Sequence, residues 1–123
     1  SVARLAARRA TEENLEDIRQ KLEACNSSRH NTTAYPAVDL EFHCAIARAS
    51  KNDLLIQSMN VIKQYCFQAI SSYFTEDLAE AGADCHQKLF EALCAHNEDE
   101  AALYMSRHMA NIISRIPQND PAE

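Results

Sequence analysis

Asp39, His43, His86 and His108 are the side chains of this 123-residue sequence best placed to do chemistry. Asp39 and His43 stand four apart in the stretch DLEFHCAIA, residues 39–47. If that stretch is helical, each residue turns by about 100°, and the pair falls one turn apart inside an apolar stripe with Phe42, Ile46 and Ala49. Glu41, Cys44 and Arg48 fall on the far side. The same count groups His86 with Ala79, Leu89, Phe90 and Leu93, and places Lys88 and Glu91 opposite. It groups His108 with Ala101, Tyr104, Met105 and Ile112. Three helices thus each aim a metal-competent side chain at the interior.

Such a placement has an energetic cost that needs a compensating partner. An unpaired carboxylate in a core costs several kcal/mol, and a buried neutral imidazole needs partners for both ring nitrogens. A divalent cation relieves both, because carboxylate oxygen and neutral imidazole nitrogen are its ligands. Hydrogen-bonded core histidines and a buried Asp39–His43 ion pair answer the same pattern, so the residues alone leave metal and metal-free readings open. His30 falls in a polar loop and His96 at a helix end, and neither is expected to be a ligand.

The elements that must position these groups are all helical. One glycine, three prolines and an apolar content of 46% predict an all-α chain with a real core. Residues 2–9 read as the tail of a first helix. Thr11 caps a second, which runs to about Cys25, with Glu12 and Glu13 in its first turn. Residues 26–36 form a polar loop ending in Pro36, which opens a third helix reaching about Ser50. Asn52 caps a long fourth helix to about Phe74, Thr75 starts a fifth to about Ala95, and Asn97 starts a sixth that ends before Pro117. The expected architecture is an antiparallel bundle of about six helices over residues 1–116, with a frayed tail at 117–123.

Composition narrows the function. A net charge of −6 argues against this chain wrapping nucleic acid by itself, and the basic run at residues 4–9 reads as a solvated helix face. No run approaches the roughly 18 apolar residues of a membrane span, and no signal peptide is visible. Five cysteines without a C-x-x-C pair suggest reduced thiols filling the core of a cytoplasmic protein. The chain opens at Ser1 in what reads as mid-helix, so the start of the first helix is expected to lie outside it.

The quoted residues also carry a family resemblance. D-L-E-F-H-C-A-I-A-R-A-S-K-N, residues 39–52, resembles the D-x-x-F-H…A-S-x-N signature of the FadR C-terminal (FCD) domain, the ligand-sensing half of one branch of GntR-type bacterial transcription regulators. H-Q-K-L-F-E-A-L at 86–93 and A-A-L-Y-M-S-R-H at 101–108 are similar to two further motifs of that family, and A-R-L-A-A at 3–7 to the end of its first helix. The resemblance covers nearly the whole chain, in order.

It implies a helical effector-binding and dimerisation domain. One divalent metal, zinc first with nickel or manganese as alternatives, would be held by Asp39, His43, His86 and His108, with positions left open for a small carboxylate metabolite. It also implies a homodimer that reaches operator DNA only through an N-terminal winged helix-turn-helix domain absent from this chain, and no membrane partner. From their helix positions, Arg115 and Asn111 near His108 and Lys63 flanking the inner face of the fourth helix are further candidates for contacting the effector. Helix-end solvation of Arg115 and snorkelling of Lys63 are rival readings. Where the family often carries arginines on its fourth helix, this sequence reads V-I-K-Q-Y-C-F at 61–67. The expected role is sensing rather than catalysis: no H-E-x-x-H or E-x-x-H motif occurs, and no spare acid stands beside the ligands as a general base. A metal-dependent enzyme and a purely structural dimerisation bundle are the rival readings.

Overall fold

Polar residues punctuate the chain where helices begin. In the computed structural model, which describes residues 1–72 and 74–115, Thr11, Asn52 and Thr75 each accept a hydrogen bond from a backbone N–H in the first turn that follows. Asn97 does the same for Glu100 at 3.0 Å. The resulting helices are α1 (Val2–Arg9), α2 (Glu12–Ser27), α3 (Tyr35–Ala49), α4 (Asp53–Val61), α5 (Phe67–Ser72), α6 (Glu76–Cys94) and α7 (Glu98–Arg115). A π-helical turn, Ile62–Cys66, joins α4 to α5 without a break, so residues 53–72 form one rod. Counted with that rod as one, the bundle has the six helices the sequence leads one to expect. No strand occurs among the described residues. The expected tail at 117–123 lies outside them.

The start of α2 shows how local chemistry sets an element. The Thr11 hydroxyl accepts from the Asn14 N–H at 3.1 Å, and the Thr11 N–H donates to the Asn14 side chain at 3.0 Å. This reciprocal cap satisfies two donors that a helix start leaves unpaired. Thr11→Ala is expected to destabilise the fold by about 1 kcal/mol, and an unchanged denaturation midpoint would refute that role.

Packing places α3 at the centre, against α1, α2, α4 and α5, while α6 and α7 pair with each other and with α1. Phe42, Ile18, Ile46, Leu89 and Leu93 are fully buried and make the heart of the core. Cys44, on the far side of α3 from Asp39, is also buried because α3 is covered on several sides. Three cysteines, Cys25, Cys44 and Cys85, fill space as expected; Cys66 and Cys94 instead lie exposed.

Ala3, Ala6 and Ala7 are completely buried, and such short side chains let α1 approach α3 and α7 closely. The basic run on α1 is more than a solvated face. Arg4 pairs with Asp99 at 2.6 Å and Arg8 with Glu98 at 2.9 Å, both acids in the first turn of α7. Arg9 donates to the Ser50 carbonyl at the end of α3. His96, in the turn before α7 with φ 53°, donates from Nδ1 to the Ala7 carbonyl at 2.8 Å. These links hold the α6–α7 hairpin on α1, and that sets how α6 and α7 face α3.

Candidate metal centre

Two donors come from one turn of α3, and one each from α6 and α7. Asp39 and His43 project from the inner face of α3, His86 from the middle of α6 and His108 from the middle of α7. Asp39, His86 and His108 are buried, and His43 is nearly so. Phe42 packs beside them with its ring centre 4.7 Å from that of His86, and the rings of His43 and His108 stack at 5.2 Å.

The donor atoms form a closed ring. Asp39 Oδ1 lies 3.1 Å from His86 Nε2, which lies 3.3 Å from His108 Nε2. His108 Nε2 lies 3.3 Å from His43 Nε2, which returns to Asp39 Oδ1 at 3.6 Å. All four atoms fall within 4.8 Å of one another. A divalent cation bound at about 2.0–2.2 Å sets neighbouring nitrogen and oxygen donors about 3.0–3.5 Å apart, so the spacing and the donor types both fit such an ion. Three imidazoles that turn the same nitrogen toward one point cannot all satisfy it by hydrogen bonds among themselves.

Protonation favours the same use. Burial, followed by the neighbouring His43 and His86, pushes the His108 imidazole down to about 3. Burial also lowers His86, against the pull of Asp39. Both are therefore neutral near pH 7, the form that binds metal. Burial by itself would raise the Asp39 carboxyl, but the His43 charge and hydrogen bonds from His43 and His86 outweigh it and hold the group well below the usual carboxylate range. An ionised carboxylate beside the neutral imidazoles of His86 and His108 suits a cation.

One side of the ring opens on a cavity of about 490 Å³. Asp39, His43 and His108 line it, whereas His86 closes the ring from behind. The rest of the wall comes from Val2 of α1, α3, the rod at 53–72, Phe74, the start of α6 and the second half of α7, and it is almost wholly apolar. The FCD domain family matches residues 1–111, a span that holds all four donors. This chain belongs to that family.

The FCD domain is also similar to two transcriptional regulators. It is 27% identical over 117 residues to the HTH-type transcriptional regulator LutR of Bacillus subtilis (strain 168), covering 90% of this chain and 53% of that protein. It is 26% identical over 118 residues to the Uxu operon regulator of Haemophilus influenzae (strain ATCC 51907 / DSM 11121 / KW20 / Rd), covering 91% and 44%. The chain thus spans about half the length of the curated relatives it matches.

The three candidate effector contacts do not gather at the cavity of this FCD domain. Lys63, in the π-helical turn, is exposed and pairs with Glu41 of α3. Arg115 pairs with Asp77 at 3.0 Å, and the Asn111 amide reaches Cys85 Sγ at 3.8 Å. None of the three lines the cavity. His30 pairs with Glu76 on the surface and His96 serves the turn described above, so neither joins the ring.

The sequence reading passed over Gly82, the single glycine. It lies within α6, one turn before His86. A methyl group there would stand 3.2 Å from His108 Cε1, tighter than an ordinary contact, and 3.6 Å from its Nδ1. A glycine inside a helix costs about 1 kcal/mol against alanine, and at this position the absent side chain makes room for the His108 ring. Gly82→Ala is expected to weaken zinc binding about tenfold, because the His108 ring must give way to the added methyl. A chelator competition titration checks this. The sequence cue was a glycine four residues before a core-facing histidine.

Proposed function

We propose that this FCD domain is the metal-containing effector sensor of a DNA-binding transcriptional regulator. Asp39, His43, His86 and His108 hold one divalent cation, zinc before nickel or manganese. A small carboxylate metabolite binds it from the cavity side. The observation that carries this reading is the ring of four donors from three helices, with edges of 3.1–3.6 Å. When bound, the cation supplies a fixed positive centre for an incoming carboxylate.

The chain's own residues do the rest. His86 anchors the ring from behind, Asp39 neutralises part of the cation's charge, and the surrounding core excludes water. A ligand between α3, the rod and α7 changes the relative stability of their arrangements, and only such a difference can shift a conformational equilibrium. In the whole protein, taken as a homodimer, that shift would reach operator DNA through a winged-helix domain. Both relatives being regulators supports sensing over catalysis, and exposed apolar side chains on the rod, including Leu54, Val61 and Tyr65, support a covered surface.

The chain purified without added metal is expected to contain about one zinc, nickel or manganese ion per chain by elemental analysis. Chelator should lower its thermal midpoint, and zinc should restore it. Metal-free protein whose melting is indifferent to both reagents would overturn the reading.

A further inference from the structure

The cavity beside the donors constrains the remainder of the ligand more than the carboxylate alone does. Its room of about 490 Å³ is ample for a small metabolite. Among the described residues that line it, only Tyr35 and Ser58 have polar side chains besides Asp39, His43 and His108, and there is no Lys, Arg, Asn or Gln. Tyr35 keeps its proton, because burial and then the Asp39 charge raise its pKa, so it offers a neutral donor. A second carboxylate, or a string of hydroxyls, would be taken out of water with few partners. Lys63 and Arg115, the cations expected at the effector, are engaged on the surface with Glu41 and Asp77.

The opposite wall shows what the space lacks. Leu55, Met59, Ile62 and Ile70 line the cavity from the rod at helical spacing. No residue of α4, the π-helical turn or α5 is buried, although this stripe is apolar. α7 presents Met105, Met109 and Ile112 to the same space, one turn apart. Two apolar stripes face a shared cavity instead of each other.

We propose that the ligand is an amphiphilic monocarboxylate, with one carboxylate at the donor ring and an uncharged hydrocarbon body between the rod and α7. This rests on the metal-held carboxylate reading given above. The ligand body takes the place of the core that the rod otherwise lacks, so it is also the part of the ligand that fixes where the rod sits.

The test titrates the zinc-loaded chain with acetate, butanoate, hexanoate and octanoate by calorimetry, and with octanedioate for comparison. Affinity is expected to rise about fourfold per added methylene until the cavity is filled. Octanedioate should bind at least about tenfold more weakly than octanoate. Met59→Asp on the rod should flatten the chain-length dependence while zinc content stays unchanged. Met109→Asp, on the facing wall and 45% exposed, repeats the test at a position tolerant of charge.

A flat series, tighter binding of octanedioate, or a slope that survives both substitutions would overturn the inference while the metal reading stands. A chain that takes up no zinc would overturn the metal reading, and this inference with it. The zinc measurement tells the two failures apart.

Discussion

Asp39→Ala is expected to lower zinc affinity by at least about a hundredfold and to abolish carboxylate binding with it. Even partners one shell removed from a metal change its affinity by about 10–100-fold, and the role proposed for Asp39 is that of a direct donor. It is also the only anionic member of the ring, so without it three neutral imidazoles must hold a dication in a buried site. The same substitution removes the oxygen 3.1 Å from His86 Nε2 and 3.6 Å from His43 Nε2, and so frees both rings to turn. Asp39→Asn separates the effects, because it keeps the shape and a hydrogen-bond acceptor while deleting the charge. Competition against a coloured chelator measures the affinity. Unchanged metal stoichiometry in Asp39→Ala would remove this residue, and the four-donor assignment, from consideration.

Acidification of the metal-free chain should reveal the buried histidines directly. An unfolded histidine titrates near 6.5, whereas burial first, and then His43 and His86, hold folded His108 at about 3. Between those values the unfolded chain takes a proton that the folded chain refuses. The contribution is therefore fully present above about pH 6.5 and falls by about 1.4 kcal/mol per pH unit on the way down. By pH 3 the loss from His108 is on the order of 5 kcal/mol, comparable with the whole stability of many small domains. His86, lowered chiefly by burial, acts in the same direction. Asp39 adds a further loss only below the unfolded carboxylate value near 3.8, because its folded form holds on to the charge. Denaturation midpoints measured in chelator from pH 7.5 to 4.5 should fall steadily below 6.5. A level profile would mean that His108 is not a buried neutral imidazole.

Zinc changes the size of this effect and keeps its sign. Protons compete with the cation for the imidazoles, so acid both releases metal and destabilises what remains. Stability lost on acidification should therefore be greater for the zinc-loaded chain than for the metal-free one.

Much of the architecture was legible because helices are specified locally. Thr11, Asn52, Thr75 and Asn97 are short polar residues at helix starts, and each caps the helix expected of it. The π-helical turn at Ile62–Cys66 was not legible, since a change of backbone hydrogen-bond register leaves the apolar periodicity nearly intact. Nor were the partners of Arg4 and Arg8, which lie some ninety residues away in sequence on α7. A solvated face and a face that meets a distant acid have the same local pattern.

The site divides in the same way. Sequence alone placed Asp39, His43, His86 and His108 on inward faces, because rotation about a helix axis follows from residue spacing. It could not bring their donor atoms to 3.1–3.6 Å, since that depends on how far α3, α6 and α7 stand apart and how they cross. Packing sets those distances, through the buried alanines of α1, the room left at Gly82 and the rings around Phe42. The same packing turns Lys63 and Arg115 to surface partners and leaves an almost wholly apolar cavity beside the four groups. The order of residues determined which groups face inward; the distances between helices decided what those groups can hold.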